Sequence, residues 1–295
     1  MAALNYAASY QQALAQKYAK GMYFGALFTT PNNKLYKVDS ANAKEIKIPV
    51  LSVKGRTDAD RDTIGTFERS YDNSWETKTL TNLRKWSTLV HPLDIDQTNM
   101  VASISNITSV MNAEEKLPEK QKYLVSKIYS LMEGESSNVT ALELTSDNIL
   151  DKIDDIAIAM DEAGVPVEGR MLYVTPAVNK LIKNSLTRRL NATDTVLVRG
   201  LDRLDEFTIV SVPSDLMKSV YNFTTGATPG GGAKQIQILA IHPLSILTPE
   251  VYSFVGFDEP SAKTGGKYLY YEESAEDVFI LEQRKAGIHI VTANA

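Results

Sequence analysis

The chain has 295 residues, which allows one large domain or two modest ones and a core burying roughly 75% of the unfolded surface. It is 43% hydrophobic and 23% charged with a net charge of −5, an ordinary globular balance without the basic excess of a dedicated nucleic-acid binder. The absence of cysteine excludes disulfides and thiolate metal sites, and three histidines leave almost no room for a multi-His zinc centre.

At the N-terminus, Tyr6, Tyr10, Leu14 and Tyr18 recur at a four-residue step with alanines between them, which predicts a helix with an aromatic stripe. Two readings stay open for it: a core helix, or an arm that packs on a neighbouring subunit. Gly21 and Gly25 loosen the chain, and Thr29 to Asn33 is a loop signal. Residues 45–53 alternate, with Ile46, Ile48 and Val50 on one face, so a strand is expected, and Pro49 suits an edge. A charge-dense stretch from Lys54 to Asp62 follows, and then a second polar strand region at 74–81. Together, 53–82 read as a long β excursion with a charged tip. An isolated hairpin is marginal in water, so the excursion is expected to reach a partner.

Residues 85–96 return the chain to the body. A long helix is expected over 114–133, with Leu117, Leu124, Val125, Ile128, Leu131 and Met132 as its apolar stripe and Pro118 in its first turn. A second amphipathic helix spans 146–163, with Ser146 as the cap, Ile149, Leu150, Ile153, Ile156 and Met160 on one face, and Gly164 as the stop. Met171 to Val174 then suits a buried strand. Thr175-Pro176 caps the helix after it, with Val178, Leu181 and Ile182 at helical spacing. Further strands are expected at 206–213 and 235–243, separated by the glycine-rich loop 226–232. A terminal β pair, 277–282 and 287–291, flanks a turn at Arg284 to Gly287.

The tests for chemistry come out negative. The glycine loop lacks the Gly-Lys-Ser/Thr ending of a phosphate cradle, since Ala233 separates Gly232 from Lys234 and Gln235 replaces the hydroxyl. Asp58, Asp60 and Asp62 begin like a calcium loop, but Thr63 stands where the turn needs glycine and Arg69 where a glutamate should close the site. Asp151, Asp154 and Asp155, and the group Glu272, Glu273, Glu276 and Asp277, read as solvated faces. His91 and His242 precede prolines and His289 lies on a strand, so all three read as structural. No catalytic, cofactor or metal residue is expected. No apolar run approaches the ~18 residues of a membrane span, and Met1 to Tyr6 lacks the features of a signal peptide. A soluble intracellular protein is expected.

The order of elements resembles the major capsid proteins of tailed bacteriophages, the Hong Kong 97-type fold. The strongest pieces are Arg170-Met171-Leu172-Tyr173-Val174-Thr175-Pro176 and Ile241-His242-Pro243, with Gly287-Ile288-His289-Ile290 near the end. The resemblance implies an α+β fold: an N-terminal arm at 1–45, an extended β-hairpin loop at 46–90, a peripheral domain with a long spine helix at 91–140 and 263–295, and an α/β axial domain at 141–262. It implies a structural, non-enzymatic role: hexamers and pentamers of one chain closing into an icosahedral shell around double-stranded DNA. The implied partners are other copies, a separate scaffolding protein, a portal protein, a decoration protein, and packaged DNA held without sequence preference. The implied location is the virion, with assembly in the host cytoplasm. Subunit contacts are expected at Tyr6, Tyr10, Lys54, Arg56, Asp58, Asp60, Arg61 and Asp62. Lys54 is a conceivable crosslink donor, but no acceptor motif is found and no crosslink is expected. An encapsulin-like compartment shell and an α/β enzyme with an unrecognised site are the alternatives.

Overall fold

The computed structural model describes residues 20–38, 44–58, 65, 69–97, 103–189 and 203–294. Its helices are α1 (Gly25–Phe28), α2 (Pro92–Gln97), α3 (Ile104–Met111), α4 (Leu117–Met132), α5 (Ile149–Glu162) and α6 (Pro176–Arg189). Its first eight strands are β1 (Lys37–Val38), β2 (Glu45–Val53), β3 (Tyr71–Thr79), β4 (Leu83–Val90), β5 (Val139–Ala141), β6 (Met171–Val174), β7 (Arg203–Leu204) and β8 (Phe207–Ser211). The others are β9 (Tyr221–Asn222), β10 (Thr228–Pro229), β11 (Ile236–Ile241), β12 (Ile246–Leu247), β13 (Glu250–Asp258), β14 (Tyr268–Glu276), β15 (Phe279–Ile280) and β16 (Ile288–Thr292).

The short apolar run Met171 to Val174 becomes an inner strand of a six-stranded sheet, ordered β5-β16-β11-β6-β8-β7. The pairs β5–β16 and β6–β8 are parallel, and the remaining pairs are antiparallel. Both faces of this sheet are covered, which is why its strands are apolar on both sides. Leu172, Val174, Ile238, Ala240 and Val291 pack under α5 and α6. Tyr173, Leu239, Ile241, Ile288 and Ile290 turn the other way and pack under α4, joined by Phe24 and Leu27 from α1 and its cap.

The junctions around β6 follow from local chemistry. Gly164 adopts φ 68° just past α5, and the Val165 N–H returns to the Met160 carbonyl at 2.9 Å, which closes the helix end. Thr175 caps α6 through Oγ1, 3.5 Å from the Val178 nitrogen. The expected cap at Ser146 is replaced by Asn148, whose Oδ1 accepts from the Thr145 N–H at 2.8 Å and ties down the preceding turn. Arg170, directly before β6, is fully buried. Its guanidinium donates to the carbonyls of Val165 (2.6 Å) and Pro166 (3.1 Å), to Asp161 (2.6 Å) and to Glu206.

Two expectations need correction. The long helix starts ten residues before the expected 114, at Ile104: α3 runs through a five-residue π turn, Asn112–Lys116, into α4. Pro118 therefore sits inside a continuous helix. The π turn lets the Leu117 N–H reach the Asn112 carbonyl, and this looser winding gives the proline ring the room a regular helix denies it. The terminal β pair is not a hairpin either. β15 pairs with β12, whereas β16 enters the central sheet between β11 and β5, because the segment Glu282–Gly287 coils as a 3-10 turn and carries the chain across.

Candidate functional site

The β excursion forms as expected. β2 and β3 pair over their full length, from Glu45 opposite Thr79 to Val53 opposite Tyr71. Its root is anchored, because Ile46 and Ile48 are buried against Leu80, Leu247 and Phe279. Pro49 lies beyond β1, which reaches only Ile46 and Lys47, so its missing N–H breaks no pairing with β1. Past that point the hairpin leaves the body. On the face opposite Ile46 and Ile48, Pro49 stands across from Trp75, Leu51 from Asn73 and Val53 from Tyr71. Four large apolar side chains on this face are open to solvent: Leu51 at 64%, Val53 at 70%, Tyr71 at 55% and Trp75 at 50% exposure. Cations frame it, with the Lys37 ammonium 5.7 Å from the Trp75 ring and the Arg69 guanidinium 4.6 Å from Tyr71. At the hairpin's root lies a groove of about 540 Å³ lined by Leu35, Tyr36, Pro49, Leu51, Trp75 and Leu281.

A second surface comes from a sheet that the sequence pattern did not announce. β13, β14 and β4 form an antiparallel three-stranded sheet in that order. The register puts Leu83, Leu89, Tyr252 and Phe254 on one side, and all four are exposed. The other side meets the long helix through ions. Lys116 pairs with Glu272 at 3.0 Å, Lys120 with Glu276, Lys127 with Asp277 at 3.7 Å, and Arg84 with Glu119 at 2.6 Å. Asp277 also accepts from the Tyr123 hydroxyl at 2.7 Å and from the Thr81 N–H at 2.7 Å. Burial pushes the Glu276 carboxyl above the usual range, against the pull of Lys120. The acidic run read as a solvated face is thus divided: Glu272 and Asp277 are buried among helix cations and Glu276 is half-buried beside Lys120, while Glu273 lies on the outer face and accepts from Tyr271.

Of the expected contact residues, Lys54, Arg56 and Asp58 are exposed beyond the end of β2, where the Lys54 N–H still bonds the Ser70 carbonyl at 2.8 Å. Tyr6, Tyr10, Asp60, Arg61 and Asp62 lie outside the described residues. Sequence reasoning missed Leu51, Val53, Tyr71 and Trp75. Their signal was present as the second face of the alternation, Pro49-Leu51-Val53, opposite Ile46 and Ile48.

The histidines hold backbone. His242 accepts the Leu244 N–H at Nδ1 (3.1 Å) and lies 2.9 Å from the Glu168 carbonyl at Nε2, which fixes the tautomer with the proton on Nε2. His289 lies 3.2 Å from the Ala286 carbonyl, and its burial depresses its pKa. Among the described residues no cluster of His, Cys, Asp and Glu is arranged to hold a metal ion, and no helix is long and apolar enough to cross a membrane.

No protein-family model matches the chain, and no curated protein matches it. Solved structures do. The capsid of cyanophage P-SCSP1u superposes with a TM-score of 0.71 at 11% identity, over 95% of this chain and 90% of that one. Mycobacterium phage Che8 gives 0.63 at 13% identity, over 94% and 93%. The mature capsid of bacteriophage PhiM1 gives 0.59 at 12% identity, over 87% and 84%. The fold is the Hong Kong 97 type of tailed-phage capsids. The likeness runs along nearly the whole chain, so the hairpin, the long helix and the central sheet all belong to this capsid fold.

Proposed function

We propose that the chain is the major capsid protein of a tailed bacteriophage. Copies assemble as hexamers and pentamers and close into an icosahedral shell around double-stranded DNA. The observation that carries this reading is the β2–β3 hairpin: its root is buried, and its outer half presents Leu51, Val53, Tyr71 and Trp75 to solvent on one face. A monomer gains nothing from holding such an arm away from its core, whereas a tiled assembly covers it with a neighbour. Many modest contacts repeated over copies give avidity without one large hydrophobic patch.

Within this reading, 1–45 is the N-terminal arm and 46–90 the extended loop. The peripheral domain comprises 91–140 and 263–295, with α3 and α4 as its spine, and 141–262 is the axial domain. Tyr6, Tyr10, Lys54, Arg56, Asp58, Asp60, Arg61 and Asp62 contact neighbouring copies. The role is structural, with no catalytic step. A separate scaffolding protein, a portal and a decoration protein are the further partners, and packaged DNA is held without sequence preference. The protein resides in the virion after assembly in the host cytoplasm.

Electron microscopy of the purified protein, alone and co-expressed with its genomic neighbours, tests the reading. Uniform closed shells or hexameric sheets are expected. A protein that stays monomeric at high concentration overturns it. Shells that enclose a co-expressed enzyme, with no portal or terminase gene nearby, favour a cargo compartment built on the same fold.

A further inference from the structure

The two helices over one face of the central sheet carry opposite charge. α5 buries Ile149, Leu150, Ile153, Ile156 and Met160, and it exposes Asp151, Asp154, Asp155, Asp161 and Glu162. Lys152 is its one base, and it is half-buried. α6 buries Val178 and Ile182 and exposes Pro176, Ala177 and Lys180. Its sequence also holds Lys183, Arg188 and Arg189, and it has no acidic residue.

The acidic face is more than a solvated surface. Ile158 lies in its middle, 59% exposed. Asp154 and Asp155 sit four and three residues before it, and Asp161, paired with Arg170, and Glu162 sit three and four residues after it, so on a helix they ring it. An apolar centre with a charged rim is the anatomy of an interface. The first turn of α6 offers the complement: Pro176 and Ala177 as an apolar platform beside Lys180, at the helix end whose dipole favours carboxylates.

The placement suits a contact between copies. α5 and α6 pack side by side. α5 contacts the Glu282–Gly287 turn that leads into β16, while α6 links β6 to its parallel neighbour β8. α5 and α6 therefore offer two different faces, one acidic and one led by Lys180. A surface that joins two different faces is heterologous, and it closes into a ring when the rotation between copies closes.

We propose that the acidic face of α5, centred on Ile158, docks on the first turns of α6 around Lys180 of a second copy, so that a charge-matched helix pair sets the head-to-tail contact within each ring of subunits. The inference rests on the shell reading above and names the mating surfaces within it.

The test is a charge exchange in the full chain. One variant carries Asp154→Lys with Asp155→Lys, and the other carries Lys180→Glu with Asn184→Glu. Each alone presents like charges at every contact. Its assembled fraction, read by sedimentation and electron microscopy, is expected to fall at least about tenfold, with the melting curve of the unassembled subunit unchanged. Mixing the two variants is expected to restore assembly in alternating hexamers, and one chain carrying all four changes is expected to restore it as well. Parental assembly should weaken as salt shortens the Debye length from about 8 Å to about 3 Å. Ile158→Asn changes no charge at an exposed position and should also reduce assembly, which keeps the test open if a charge variant folds poorly. Single variants that assemble like the parent overturn the proposal, as do variants that fail and are rescued by neither the mixture nor the exchange. A parent chain that never assembles refutes the shell reading instead.

Discussion

Replacing Arg170 with methionine should cost the unassembled subunit about 3 kcal/mol. The side chain is fully buried and donates to four acceptors. Two are backbone carbonyls, those of Val165 and Pro166, in the loop between α5 and β6. Hydrogen bonds from a charged group contribute roughly 1.5 kcal/mol each or more, so losing both costs about 3 kcal/mol. The other two are carboxylates. Asp161 is half exposed and Glu206 about a third exposed, so both regain water when the guanidinium leaves. Their screened pairing therefore adds only about 1 kcal/mol. The buried methionine returns a similar amount by apolar burial. The net loss of about 3 kcal/mol should lower the melting temperature by about 5 °C for a chain of this size. Arg170→Lys keeps the charge but loses the fork that reaches four acceptors, and about half the loss is expected. Urea and thermal unfolding of the unassembled subunit measure both. Some buried ion pairs are neutral or unfavourable relative to a hydrophobic replacement. An Arg170→Met curve that coincides with the parent, or lies above it, refutes the reasoning that this cation staples β6 to its surroundings.

The exposed hairpin face separates folding from assembly. Leu51→Asp with Trp75→Glu should change subunit stability by no more than about 0.5 kcal/mol, since both positions are solvated, and should abolish shells in electron micrographs; normal shells would remove that face from the contact. His289 is held below its usual pKa by burial, with Lys152 adding to the effect against the Ala286 carbonyl. Its folded form thus resists protonation: stability is fully present above about pH 6.5 and is lost as pH falls from there to the folded pKa. His289→Gln should flatten that part of the stability–pH curve, and an unchanged slope would assign it to other groups. At Gly287, an added Cβ would overlap the buried Ser245 Oγ and come within 3.6 Å of the His242 Cβ. Gly287→Ala should therefore cost about 1–3 kcal/mol by overpacking, and an unmoved denaturation midpoint would show that the turn yields freely.

Elements whose burial is complete on one side were legible in the sequence. α5 shows its apolar residues, Ile158 apart, at helical spacing with glycine just past its end, and β6 with its Thr175-Pro176 cap is set by side chains within a few positions. β13 and β14 were not legible. Their sheet stands out from the body with Tyr252, Phe254 and Val255 exposed on consecutive or alternate positions, so no clean alternation marks them. The carboxylates of β14 hid for another reason. Glu272 and Glu276 look solvated until Lys116 and Lys120, more than 150 residues away in sequence, are brought opposite them. The start of the long helix was hidden by Pro118, which normally marks a first turn. The contact surface was half visible: charge marked the tip at Lys54, Arg56 and Asp58, but the apolar face was overlooked because Ile46 and Ile48 already accounted for the strand.

The π turn at Asn112–Lys116 sets the phase of the long helix. An α-helix advances about 100° per residue, so one extra residue rotates everything before it by about that angle relative to everything after it. α4 points Leu124, Val125, Ile128 and Met132 into the core, whereas no residue of α3 is fully buried although Ile104, Ile107, Val110 and Met111 lie along it. The rod thus has two apolar seams out of step with each other: one fully buried in the core, the other only half-buried. Deleting a single residue from the π turn would swing the second seam round without changing any side chain on it. Where this helix aims its apolar side chains is written in backbone winding as much as in composition.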